Sequence, residues 1–180
     1  MTYYITMLRG VNVGGNKKIK MSTLAALYES LGFKDAKTYI QSGNVVFSSH
    51  EPSPSALSKR IERAIKESFG FDAAVVVRTK AELEKAIDNN PFKDKDPDKL
   101  HVTFLSDAPA NRTLDVFDAA KDESEEYSIS GKEVYLFLPN GYGRTKLSNN
   151  FFEKKLNVSA TTRNWRTVNV LTGMAKEISF

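Results

Sequence analysis

The chain of 180 residues contains no cysteine. That excludes a disulfide scaffold, a thiolate zinc site and a cysteine nucleophile. It holds two histidines, His50 and His101, far apart in sequence. They leave little from which to build a histidine metal site or a nucleophile–base pair. Nothing approaches the ~18 consecutive apolar residues of a membrane span. The strongest apolar runs are strand-length, such as YLFL at 135–138. The first residues, MTYYITMLRG, show no basic segment followed by a long apolar run, so no secretory leader is expected and the cytoplasm is the expected compartment. Asp94, Asp96 and Asp98 alternate like the start of a calcium loop, but Pro97 and the missing downstream glycine and glutamate break that pattern.

What is present is a folding composition: 41% apolar and 27% charged residues. Residues 3–8 read as a buried strand, followed by a glycine-rich basic loop at 9–21. Leu24, Leu27, Tyr28 and Leu31 then recur at helical spacing, with Ser22 as the expected N-cap and Gly32 as the stop. Strands are expected at 36–41 and 44–48, paired across a Ser42–Gly43 turn. Leu57, Ile61, Ile65 and Phe69 stripe a second helix that Gly70 ends, and 72–78 reads as a strand. Thr79 and Glu82 have capping-box spacing at the head of a short helix over 80–88. A charged, proline-bearing linker leads to 99.

The order then repeats: strand 99–105, helix around 111–120, strands 125–130 and 133–138, a glycine loop 139–147, helix 148–156 and a short extended piece 157–160. A closing helix is expected over about 162–178, capped by Thr161 or Thr162. No sequence repeat accompanies the repeated order. The expected fold is α+β: two ferredoxin-like (split βαβ) modules packed together, mostly antiparallel sheets with helices on one face. The expected division is 1–79, a helix and linker at 80–98, and 99–180.

Three runs carry a resemblance: LRGVNVGGNKKIKM at 8–21, YIQSGNVVF at 39–47, and GRTKLSNNFFEKKL with ATTRNWRTV at 143–156 and 160–168. Together they resemble the bacterial family catalogued as domain of unknown function 1697. The resemblance spans almost the whole chain and implies the same two-module fold. It implies no activity and no catalytic residue.

The net charge of +4 is unevenly spread. Residues 94–126 hold ten acids and four bases, a net −6, while 139–166 hold six bases and one acid, a net +5. Loop 9–20 carries four bases and no acid. In it Arg9, Asn12, Gly14, Gly15, Lys17, Lys18 and Lys20 are candidate ligand residues, because glycine loops entering helices suit anions. Neither Walker A nor GxGxxG spacing is present, so no cofactor is assigned. Gln41, Ser42 and Asn44 offer amide and hydroxyl groups at a turn. Tyr142, Arg144 and Lys146 form a second glycine-loop set. Arg163, Asn164, Trp165 and Arg166 form a third at the expected start of the last helix, where the arginines would oppose the helix dipole.

The reading that follows is an anion-binding protein whose partner is nucleic acid or a phosphorylated small molecule, with no membrane partner. Tyr135 and Phe137 alternate on one strand, as base-stacking residues do on RNA-binding sheets. The alternatives are an enzyme acting on a small anionic metabolite and a protein-interaction domain. The sequence carries no mark of oligomeric state.

Overall fold

A computed structural model of the chain describes residues 1–110 and 114–179. The first sheet contains β1 (Thr2–Leu8), β2 (Lys34–Tyr39), β3 (Asn44–Ser49) and β4 (Val75–Thr79), in the order β2-β3-β1-β4. Helices α1 (Met21–Ser30) and α2 (Pro54–Phe69) connect its strands. The second sheet contains β5 (Leu100–Leu105), β6 (Glu126–Ser130), β7 (Glu133–Phe137) and β8 (Ala160–Asn164), in the order β6-β7-β5-β8. Its connecting helices are α4 (Leu114–Ala120) and α5 (Asn149–Leu156). Helices α3 (Lys80–Asp88) and α6 (Trp165–Glu177) each follow the last strand of a sheet. All strand pairs are antiparallel. This is the expected split βαβ order, twice. The sequence places the start of α4 at 111, and 111–113 lie outside the described residues.

The chain divides into two compact units, Met1–Lys85 with Val170 onward, and Ala86–Asn169. In the first, Tyr4, Leu8, Val45, Phe47, Val75 and Val77 meet Leu24 and Tyr28 of α1 and Leu57, Ile61 and Ile65 of α2 in one cluster. The side chains that alternate with them, Ile5, Met7, Val46 and Val76, are also buried. In the second unit, Leu105, Val134, Leu136 and Ala160 pack with Phe117 of α4 and Phe152 and Leu156 of α5. Here too the alternate residues Val102, Phe104 and Tyr135 are buried. In β1, β3, β4, β5 and β7 both faces are therefore largely buried, as in strands that read as near-continuous apolar runs, whereas the edge strands β2 and β6 are mostly polar and exposed or half-buried.

Register exposes an equivalence that sequence comparison misses. β1 pairs Ile5 with Arg78 and Thr6 with Val77. β5 pairs Val102 with Arg163 and Thr103 with Thr162. Arg78 and Arg163 thus hold the same strand position, and both are buried. Each donates from Nη1 to the carbonyl of the preceding residue at 3.0 Å. One residue later each module caps its trailing helix. Thr79 and Glu82 close a capping box: the Thr79 N–H donates to Glu82 Oε2 at 2.8 Å and the Glu82 N–H to Thr79 Oγ1 at 3.1 Å. Asn164 Oδ1 accepts from the Thr167 N–H at 2.8 Å.

Topology also separates the two glycine loops. Residues 9–20 follow β1, whereas 139–148 follow β7 and correspond to the short segment between β3 and α2. Two expected helix starts change. α1 begins after Lys20, which provides no side-chain cap, rather than at Ser22. Residues 160–164 are strand, because β-branched Thr161 and Thr162 suit a pleated sheet, and α6 starts at Trp165.

Removing either cap is expected to cost about 1 kcal/mol. Urea unfolding of Thr79→Ala and Asn164→Ala, each against the parent, checks this. Similar losses in both support the equivalence of the two modules.

Candidate functional site

The glycine loop is pinned at two apolar anchors. Val11 and Ile19 are buried in the core of the first unit, and Val13 between them is exposed. Between the anchors the backbone is repeatedly left-handed, at Asn12, Gly14, Gly15 and Lys17. The Asn12 side chain is bonded within the protein: its Nδ2 donates to Ile19 O at 3.0 Å and to Gln41 O at 2.8 Å, and its Oδ1 accepts from the Ile19 N–H at 2.9 Å. One side chain thereby closes the loop on itself and ties it to the β2–β3 turn.

That turn is longer than the expected Ser42–Gly43 pair. β2 ends at Tyr39, and Ile40 adopts φ +49°. Asn44 Nδ2 donates to Tyr39 O at 2.9 Å and to Ser42 Oγ at 2.8 Å, so Asn44 and Ser42 build the turn itself. The Leu8 N–H donates to Gly43 O at 2.9 Å. Only glycine fits at 43: a Cβ there would lie 2.7 Å from Val11 Cγ2 and 2.9 Å from Leu8 Cβ. The β preference of isoleucine is overridden by these side-chain and main-chain bonds.

The result is a cleft of about 580 Å³ lined by Asn12, Gly15, Lys18, Ile19, Lys20 and Gln41. Five of these six are residues the sequence singled out, drawn from two separate segments. Lys18, Lys20 and Gln41 are exposed. Lys17 turns elsewhere, donating from Nζ to Asp72 O at 2.6 Å. Arg9 donates its N–H to Ala74 O, which continues the β1–β4 ladder beyond Leu8 and Val75. Gly14 sits at the exposed loop tip. Helix α1 begins at the cleft with no side-chain cap and no acid in its first turn, so its own residues leave the positive end of its dipole uncompensated.

In the second unit the expected residues do other work. Arg163 lies in β8, donating from Nη1 to Thr161 Oγ1 at 2.7 Å, and burial pulls its guanidinium down to about 10. It stays cationic at neutral pH, but as a buried repeat of Arg78 rather than on an exposed first helical turn. Asn164 is the cap described above, Trp165 is half-buried and Arg166 is exposed. Arg144 and Lys146 are also exposed. Tyr142 stacks on His101, with centroids 5.5 Å apart, and its hydroxyl oxygen accepts the Asn149 N–H at 3.3 Å. Thr103, Thr162 and Asn149 continue in a chain of 2.7 Å hydrogen bonds. A second cleft of about 480 Å³ runs along β6 and α4 and includes Asp118, Lys121, Glu125 and Glu126.

Tyr135 is buried and donates its hydroxyl to Ala86 O at 2.7 Å, and Lys95 Nζ stands 4.6 Å over the Phe137 ring. The two aromatics therefore do not form an open stacking platform. The sequence also gave no hint of Val13 and Ile40 as exposed apolar groups, since both residue types argue for buried strand.

Comparison with known proteins gives two findings. The family model described as "Protein of unknown function (DUF1697)" matches residues 1–135. The solved structure of a conserved bacterial protein, SP0830 from Streptococcus pneumoniae, is similar with a TM-score of 0.72 at 23% identity, covering 97% of this chain and 98% of that one. This likeness is one of fold. No curated protein matches.

Two outcomes test this geometry. Ile40→Gly is expected to stabilise the protein by about 1 kcal/mol in urea unfolding, because it relieves a β-branched residue held in the left-handed region. His101 has a buried Nδ1 without a hydrogen-bond partner, and burial holds its pKa below the usual 6.5. The unfolded chain then binds the proton more readily, so stability is lost as pH falls below 6.5. His101→Phe keeps a ring against Tyr142 and should flatten the rise in stability between pH 5.5 and 7.5.

Proposed function

Because this chain belongs to the family described as "Protein of unknown function (DUF1697)", we propose its function from the cleft: it binds a phosphorylated small molecule between the glycine loop and the β2–β3 turn. The observation that carries the reading is the cleft itself, with Lys18 and Lys20 on a lining that contains no acid. Loop 9–20 adds four positive charges and no negative one. An anion entering there meets two ammonium groups and the open end of the α1 dipole. Asn12 holds both walls in place beforehand, so little ordering is needed on binding.

Binding fits the lining better than catalysis does. Its side chains are amides, ammonium groups and one aliphatic chain, with no carboxylate or imidazole to move a proton at neutral pH. A small molecule is favoured over nucleic acid because the sheet-face aromatics that would stack bases are engaged, Tyr135 by Ala86 and Phe137 by Lys95.

Calorimetric titration of the full chain with pyrophosphate tests the proposal. Binding should be measurable at 50 mM salt and weaker at 200 mM, and Lys18→Ala and Lys20→Ala should each weaken it about tenfold. Lys121→Ala, in the other cleft, serves as the control and should change nothing. Absence of binding at low salt, or full affinity in the Lys18→Ala/Lys20→Ala double variant, refutes the reading.

A further inference from the structure

The second cleft, of about 480 Å³, is lined by five consecutive residues, Glu125 to Ile129. Successive side chains of a strand point to opposite faces. A cleft that touches all five therefore runs along the margin of β6, where the main chain itself is presented. β6 stands at the end of the order β6-β7-β5-β8, and among the described residues no strand pairs with its outer side. Helix α4 forms one wall, through Leu114, Asp118 and Lys121. It stands on the Tyr127 face, since the Tyr127 hydroxyl donates to Asp118 Oδ1 at 2.8 Å and its ring meets Phe117 edge-on. The Phe92–Lys95 turn stands on the other face, where Lys95 Nζ meets Glu126 Oε2 at 2.5 Å. Phe92 lines the cleft from there.

The edge strand of the first sheet shows what protection looks like. β2 carries exposed Lys34 and Lys37, a register shift between them and a left-handed Asp35. Lysines and bulges are the usual means of keeping a strange strand from pairing with an edge. β6 has neither: its register against β7 is unbroken from Glu126 to Ser130, and it contains no lysine or proline. Each wall of its cleft also offers an apolar group and a carboxylate, Leu114 with Asp118 and Phe92 with Glu126. Leu114 is 47% exposed.

Charge selects the occupant. Residues 114–126 hold six acids and one base, a net −5. Lys95 offsets Glu126, but Asp118 is bonded by an uncharged hydroxyl and keeps its charge for a partner. A second copy of this chain would bring the same acidic segment to the edge, so like charge opposes self-pairing.

We propose that the outer edge of β6 takes an extended basic peptide from another protein as an added strand, its main chain on β6 and its side chains between α4 and the Phe92–Lys95 turn. Main-chain hydrogen bonds supply affinity, and the two walls choose alternating basic and apolar side chains. This site is separate from the glycine-loop cleft and does not depend on it.

The experiment is a fluorescence-anisotropy titration of the full chain with a labelled peptide of about nine residues that alternates lysine and valine, at about 50 mM salt. It is expected to bind, and the same peptide with glutamate for lysine is not. A version N-methylated at alternate main-chain amides keeps its charge but cannot complete the ladder, and should bind about tenfold weaker. Leu114→Ser and Asp118→Asn, both at exposed positions of α4, should each weaken binding about threefold while leaving the urea midpoint of the protein unchanged. The Lys18→Ala/Lys20→Ala variant should bind the peptide as the parent does. If the N-methylated peptide binds as tightly as its parent, strand addition is overturned. No binding at low salt, or full affinity in the Leu114→Ser/Asp118→Asn double variant, overturns the site. If the chain alone self-associates in sedimentation and Ser128→Lys abolishes that association, a second copy is the occupant and the basic partner is overturned.

Discussion

The Asn12 carboxamide makes one rigid piece out of two segments that the sequence leaves nearly thirty residues apart. Its two donors reach Ile19 O and Gln41 O, and its acceptor takes the Ile19 N–H. Without that clasp, a loop with several glycines would sample many conformations, and the lysines on it would have no defined partner across the gap. With it, Lys18, Lys20 and Gln41 line one cleft. The backbone conformations are consistent with this. Left-handed residues crowd the loop, and Gly43 sits where any side chain would strike Val11 and Leu8. Asn12 is thus a positioning residue for the cleft, and its own polar atoms are engaged by protein groups.

The buried faces of both sheets limit where a ligand can be held. A single exposed sheet face would have offered a platform of aromatic side chains. Instead Ile5, Met7, Val46 and Val76 in one sheet, and Val102, Phe104 and Tyr135 in the other, are withdrawn from solvent. Polar binding groups are then left to loops and helix ends, which is where a rigid scaffold ordinarily displays them. The buried arginines follow the same logic. Arg78 and Arg163 occupy one strand position in each module and donate back to their own strands, so their charge belongs to the repeated scaffold.

Much of this scaffold was legible in the residues. The strand and helix order follows from periodicity, and the Thr79–Glu82 capping box and the Gly70 stop stand at the positions that their chemistry favours. The failures are equally physical. Thr161 and Thr162 suit a helix cap and a strand alike, and only pairing with Phe104 and Thr103 decides for strand. Ile40 reads as strand by every local rule, and a long-range bond from Asn12 together with a turn bond from Asn44, both to its neighbours, makes it a corner. The repeated element order carries no sequence repeat because equivalent positions hold different residue types: Thr79 against Asn164 as caps, Val77 against Thr162 beside the central threonine. Five of the six cleft residues were nameable from glycine, lysine and amide content. That they come together was not, since it depends on the clasp.

The two modules also separate what the fold requires from what it does not. The same topology leaves β1 through residues 9–20 and leaves β5 through the segment from 106 to 113. The first segment has three glycines, four bases and no acid, and the second has no glycine, one acid and one base. A connection from central strand to helix therefore needs neither glycine nor lysine. The acid-free, glycine-rich composition of 9–20 has no explanation in chain connectivity, nor does the left-handed isoleucine in the turn beside it. The glycine loop lines one cleft, and Ile40, held in a strained left-handed conformation, precedes Gln41 of the same lining in the chain. A module of this topology can be built without either, as its neighbour in the same chain shows, so neither is a requirement of the fold.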